Sequence, residues 1–420
     1  MNINELDQSE IDEVISILSM GKFQEALDKI FHLSKKFPED ALIQNIIGAC
    51  YAGKGQLDNA ILFYQKAISI NPEYAKAYYN LADIYHQQKK YIDSINCYKK
   101  SLEIDPNYPE ALNNLGNVFR EDGQLIEAKN SYENALKINS NFLEANYGLG
   151  VVFHELGELE LMIEQLEIVL NIKPGIAEAH NRIGAGLEEL GRLDEALISF
   201  HTAVKINPVF SEALNNLGNV YKKLGKLEDA VNSYKKALAI NPDYPALHNN
   251  LGNAYKELGR LDNALDSYHE ALTHNPDYPD SLNNLGIIFF KLGEFEKSVQ
   301  YYEKAIKIDP SFAEACNNLG NVFKRLNQFE NAVGSYTKAI DIKPDFFDAY
   351  NNLGLLLSTD TNLLNQAVTS FEKAISINPK FSIAFNNLAH TLRDLDKPNE
   401  AIKNYQKAIE LNPKFFQAYN

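Results

Sequence analysis

The chain repeats itself every 34 residues, and that period limits what it can fold into. Ala213-Leu-Asn-Asn-Leu-Gly-Asn-Val-Tyr221 is followed by Gly225-Lys-Leu-Glu-Asp-Ala230, then Tyr234, Ala237 and Pro242. The phrase returns as Leu247-His-Asn-Asn-Leu-Gly-Asn-Ala-Tyr255 with Ala264, Tyr268, Ala271 and Pro276, and again around Asn284–Pro310 and Asn318–Pro344. Self-similarity at this period marks a stacked-repeat architecture. One unit cannot bury its apolar face alone, so its neighbours complete the core.

Counting Ser211 as position 1, positions 3, 4, 7, 8, 10 and 11 are apolar or small. In the copy starting at Pro109 these are Ala111, Leu112, Leu115, Gly116, Val118 and Phe119, a helical spacing. A turn follows near position 15 (Gly157, Gly191, Gly225, Gly259, Gly293), then a second apolar face: Leu227, Ala230, Val231, Tyr234, Ala237 and Leu238. Proline at position 32 (Pro72, Pro106, Pro174, Pro208, Pro242, Pro276, Pro310) stops the second helix. Glycine at position 8 and alanine at position 20 are read as the crossing point of the two helices, where a larger side chain would push the axes apart.

The set Leu214, Leu217, Gly218, Tyr221, Ala230, Tyr234, Ala237 and Pro242 resembles the tetratricopeptide repeat, and the resemblance runs over about residues 7–420. It implies an all-α fold, a right-handed superhelical solenoid of antiparallel helix pairs. It also implies that first helices line a concave groove and that the activity is holding a protein or peptide partner there.

Residues 1–40 read as a degenerate N-terminal capping repeat, with Gly21, Phe23, Ala26, Leu33 and Pro38 in register and Val14 in place of the glycine. Residues 41–415 form eleven repeats, with one extra residue between Gly354 and Ala367. Phe416-Gln-Ala-Tyr-Asn420 starts another copy that stops, which reads as a truncated repeat. The copy at 143–176 departs most. Met162 replaces the crossing alanine, which predicts an overpacked or splayed pair, either compensated nearby or bending the stack.

A formal charge of −16 argues against general nucleic-acid binding, for which a basic stripe is expected. The three cysteines, Cys50, Cys97 and Cys316, lie far apart at non-equivalent positions, as reduced buried thiols do. No basic-then-apolar leader, membrane span or Asn-x-Ser/Thr sequon occurs, so the expected location is cytoplasmic, away from membranes.

The recurrence that points to function is asparagine at position 6: Asn80, Asn114, Asn216, Asn250, Asn284, Asn318, Asn352 and Asn387. A carboxamide both donates and accepts, so a row of them can grip an extended backbone without reading its side chains. The row resembles the asparagine ladder of O-linked N-acetylglucosamine transferases, which holds peptides in this way. The other reading is a habit of an asparagine-rich repeat. The row is absent at Ile46 and breaks at Gly148 and Arg182. Position 9 adds Asn219, Asn253 and Asn321, with Asn117 earlier and His390 late. Positions 12 and 13 are largely acidic in early copies (Glu121, Glu155, Glu188, Glu189, against Arg120) and largely basic in later ones (Lys222, Lys223, Lys256, Lys291, Lys324, Arg325, Arg393, against Glu257 and Asp394). This gradient predicts either a groove that orients a bipolar peptide or a solvated rim.

Catalytic patterns fail. His154-Glu-Leu-Gly-Glu158 lacks the second histidine of a zinc helix, and Gly184-Ala-Gly186 lies inside a helix. The chain is therefore expected to have no catalytic residue, metal or cofactor. Three functions remain: an interaction scaffold, the substrate-targeting arm of a larger transferase, and a structural spacer or self-association module using its exposed repeat edges.

Overall fold

The computed structural model describes residues 8–413. Among them it is all-α, with 24 α-helices and one short 3-10 turn. The chain divides between Pro208 and Val209 into two compact units. Each unit is a stack of helix pairs: a first helix such as Ser211–Lys223 folds back through a tight turn onto a second such as Leu227–Ile240.

The turns explain the punctuation. Eight glycines at position 15 or its equivalent adopt φ of +71° to +79°, and Lys89, Asn327 and Asp396 take the same left-handed conformation where glycine is missing. At the other end, position 31 closes the second helix twice over. The Asn241 N–H donates to the Ala237 carbonyl at 2.9 Å. In six repeats the side chain at this position accepts the N–H two residues on, as Asn71 does from Glu73 at 3.0 Å. In five of the six a proline follows this Asx turn, and Ser140 stands in its place after Asn139.

The core amends the crossing argument. The position-24 rings Tyr132, Tyr234, Tyr268, Tyr302 and Tyr336 are fully buried. They lie on the position-8 glycines: a Cβ on Gly218 would sit 2.5 Å from the Tyr234 ring, and one on Gly252 2.6 Å from Tyr268. The glycine clears room for an aromatic ring rather than for the opposing backbone. The alanines at positions 20 and 27 complete the contact, fully buried.

Met162 is compensated. Its Cε occupies the space that a side chain on Gly186 would need, at 2.2 Å from an ideal Cβ there. Other repeats carry valine, alanine, isoleucine or leucine at that place (Val220, Ala254, Ile288, Leu356). The bulk moved from one helix to the next without loss of burial; Met162 is 1% exposed. Near residue 360 the first helix Phe347–Leu357 ends early, and a 3-10 turn, Thr361–Leu363, replaces the glycine turn before Leu364–Ile377. Residues 416–420 lie outside the described residues.

Candidate functional site: an amide-lined face of the first helices

The position-6 carboxamides join first helix to first helix. Asn250 Nδ2 donates to Asn215 Oδ1 at 3.0 Å, Asn284 to Asn249 at 3.1 Å, and Asn318 to Asn283 at 3.1 Å. Asn352 donates to Asn317 at 3.0 Å, Asn387 to Asn351 at 2.9 Å, and Asn80 to Asn45 at 2.9 Å. Where position 5 is tyrosine the hydroxyl accepts instead. Asn114 Nδ2 donates to Tyr79 Oη at 3.0 Å, and Arg182 Nε to Tyr147 Oη at 2.9 Å. The donor half of this row is therefore spent on stacking the repeats, a role that was not expected.

The acceptor half survives at most rungs. Among the described residues, Oδ1 of Asn80, Asn250, Asn318, Asn352 and Asn387 receives no hydrogen bond. Asn114 and Asn284 are engaged at both ends: Asn113 Nδ2 donates to Asn114 Oδ1 at 3.1 Å, and Lys256 Nζ to Asn284 Oδ1 at 2.7 Å. Asn216 Oδ1 faces Asn215 Nδ2 at 3.5 Å. At the break in the row, Gly148 offers no donor, and the buried Oδ1 of Asn113 is left without one.

Position 9 is spent the other way round. The buried tyrosine of position 24 donates its hydroxyl to Asn117 Oδ1 at 2.6 Å, Asn219 at 2.7 Å, Asn253 at 2.9 Å and Asn321 at 2.8 Å. Their Nδ2 groups donate to nothing among the described residues. Asp83 takes the same bond from Tyr98, and His390 Nδ1 lies 2.9 Å from the Tyr405 hydroxyl. Burial and the Arg393 charge hold the His390 pKa low. This coupling was legible in the sequence but missed. Where position 9 is apolar (Val151, Ala185, Leu355), position 24 has no hydroxyl (Leu166, Phe200, Phe371), with Ile287/Tyr302 and Ala49/Tyr64 as exceptions.

In the first unit, positions 5, 6, 9 and 12 line a common cleft of about 540 Å³, which includes Asn114, Asn117, Arg120, Tyr147, Gly148 and Arg182. The expected acidic rim there is engaged. Residue 12 of one repeat meets residue 13 of the next: His86 and Glu121 at 3.0 Å, Arg120 and Glu155 at 3.2 Å, His154 and Glu189 at 3.4 Å. In the second unit, none of Lys222, Lys256, Lys291 and Lys324 has a carboxylate at ion-pair distance among the described residues. Burial lowers the Lys256 pKa, helped by the charges of Lys291 and Lys222 and opposed by Glu257; burial alone lowers that of Lys324.

Among the described residues no cluster of three or more His, Cys, Asp or Glu side chains is placed to hold a metal, and the three cysteines are free thiols. No described helix is long and apolar enough to cross a membrane.

A family model described as "TPR repeat" matches residues 48–89, 82–123, 116–157, 187–225, 218–259, 252–293 and 320–360, more than half of the chain. Models described as "Tetratricopeptide repeat" match 279–312, 382–415 and 347–381. The chain belongs to the tetratricopeptide-repeat family. Comparison with curated proteins gives no match. Among solved structures, yeast Tom70 is similar at 16% identity and a TM-score of 0.50, over 98% of this chain and 94% of that one, a likeness of fold. The MamA protein is 25% identical over 40% of this chain and 92% of its own, with a TM-score of 0.38. YrrB, described as a TPR protein with an unusual peptide-binding site, is 21% identical over 44% of this chain and 95% of its own, with a TM-score of 0.37.

Proposed function

We propose that this tetratricopeptide-repeat protein is an interaction scaffold whose first helices hold an extended segment of another protein. The observation that carries this reading is the complementary use of the two amide rows. Position 6 keeps carbonyl oxygens (Asn250, Asn318, Asn352, Asn387) and position 9 keeps amide donors (Asn219, Asn253, Asn321). An extended backbone needs both a donor and an acceptor at each residue pair. Each such bond nets about 0.5–1.5 kcal/mol, so several together reach a useful affinity despite ordering costs. The likeness to the ladder of O-linked N-acetylglucosamine transferases is consistent with this use of asparagine.

Asp83 suggests a test that leaves the fold intact. It keeps the tyrosine bond without an amide donor, so Asn219→Asp, Asn253→Asp and Asn321→Asp together should fold as the native chain does. The triple variant, used as bait, should lose the segments that the native chain captures. Unchanged capture would remove the amide face from this role.

A further inference from the structure

In the first unit, three contacts between residue 12 of one repeat and residue 13 of the next set a basic side chain against a carboxylate, with Arg120 and Glu155 at 3.2 Å as the clearest case. Register carries the same rung into the second unit, where the 35-residue step from Arg120 to Glu155 becomes Lys256 to Lys291. Register thus assigns two cations to the rung where the other unit has a cation and an acid. Lys256 is half-buried and reaches the amide face, its Nζ 2.7 Å from Asn284 Oδ1. The Lys222 charge also acts on it, and Glu257 is the acid that opposes this. Lys291 is exposed beside the half-buried Lys256, and two like charges placed near each other disfavour each other unless an anion sits between them.

We propose that the Lys256–Lys291 rung, with Lys222 beside it, is the binding site for an Asp or Glu carboxylate of an acidic extended segment. The segment supplies the acid that Glu155 supplies internally in the first unit. This rests on the groove reading above and adds the partner's chemistry: carboxylate side chains on a backbone held by the neighbouring amides. Lys324, one repeat on and likewise without a carboxylate, extends the preference along the segment. The chain's overall negative charge confines the attraction to this stripe, since a generally acidic surface repels acidic partners elsewhere.

The test uses the full chain and a fluorescein-labelled peptide of alternating Glu and Gly, with its Gln–Gly counterpart and a single-stranded RNA as controls. Lys291→Glu converts the rung to the form found at Arg120 and Glu155. It should weaken binding of the Glu–Gly peptide about tenfold, as loss of a charged hydrogen bond does, without lowering the thermal midpoint. Lys304→Glu, the same charge change on the exposed face of Phe295–Ile308, should leave binding unchanged. Failure of the native chain to bind the Glu–Gly peptide would overturn the proposal. So would equal weakening by Lys291→Glu and Lys304→Glu, or preference for RNA or the Gln–Gly peptide. If the asparagine-to-aspartate triple variant still captures its segments while Lys291→Glu abolishes acidic binding, the groove reading fails and the lysine site stands. The converse result sinks the lysine site alone.

Discussion

The two units share a frame and differ at a rung. In both, a buried tyrosine sits on a glycine and gives its hydroxyl to an amide, at 2.6 Å for Tyr132 and Asn117 and 2.9 Å for Tyr268 and Asn253. In the first unit the charged rungs are closed by acids. In the second, Lys256 and Lys291 leave one open. The frame is buried and therefore expensive to alter, whereas a rim charge contributes roughly 0–1 kcal/mol. A repeat protein can thus vary its rungs, and with them its partner, at little cost to its fold.

The largest effect should come from breaking the frame where it is irregular. Gly186→Val restores a residue type common at this position but collides with Met162, and should destabilise the chain by about 2–3 kcal/mol in thermal or denaturant unfolding. Met162→Ala in the same chain should recover most of that loss. An unchanged midpoint for Gly186→Val would mean that Met162 is not held there.

The tyrosine–amide pair should behave alike in both units. Asn253→Leu leaves the Tyr268 hydroxyl buried and unpaired and should cost about 1–3 kcal/mol. Adding Tyr268→Phe should restore much of it, as the Leu355 and Phe371 pairing does naturally. The Asn117 and Tyr132 cycle should give the same coupling. A coupling confined to one unit would break the premise of a common frame.

Swapping the rung tests the difference itself. Glu155→Lys places a lysine beside Arg120 and should cost less than about 1 kcal/mol, while creating binding of the Glu–Gly peptide in the first unit. Loss of stability without new binding would mean that an open rung alone does not recruit acid.

The fold was legible because its determinants recur. The apolar spacing, Gly225 at the turn and Pro242 at the helix end are local instructions repeated along the chain. The consequence of Met162 was not legible. Its partner Gly186 lies in the next repeat, and only packing shows that one residue makes room for the other. The amide rows were seen as rows, but their division of labour was not. A donor on Asn250 and an acceptor on Asn215 look alike in sequence, and only a 3.0 Å contact assigns them. The tyrosine pairing lay in between, since hydroxyl loss at Phe200 and Phe371 accompanies amide loss at Ala185 and Leu355.

The smallest predicted effect concerns Asp83, the single aspartate at a position where Asn117, Asn219, Asn253 and Asn321 serve elsewhere. It accepts from Tyr98 and from Asn114 Nδ2 at 3.2 Å, and those bonds favour its charged form. Burial outweighs them and raises its pKa above the ordinary 3.8. A folded-state pKa above the unfolded one means that the native chain binds more protons in that window, so stability falls as pH rises through it. The carboxamide introduced by Asp83→Asn would accept the same two bonds and would not titrate. This variant should therefore match the native chain below the window and exceed it by about 0.5 kcal/mol at neutral pH, a fraction of one charged hydrogen bond. Unfolding curves at acidic and neutral pH measure the difference. A variant less stable than the native chain at neutral pH would show that the ionised carboxylate strengthens its bonds by more than its burial costs, and that this rung of the first unit depends on charge in a way the asparagine rungs do not.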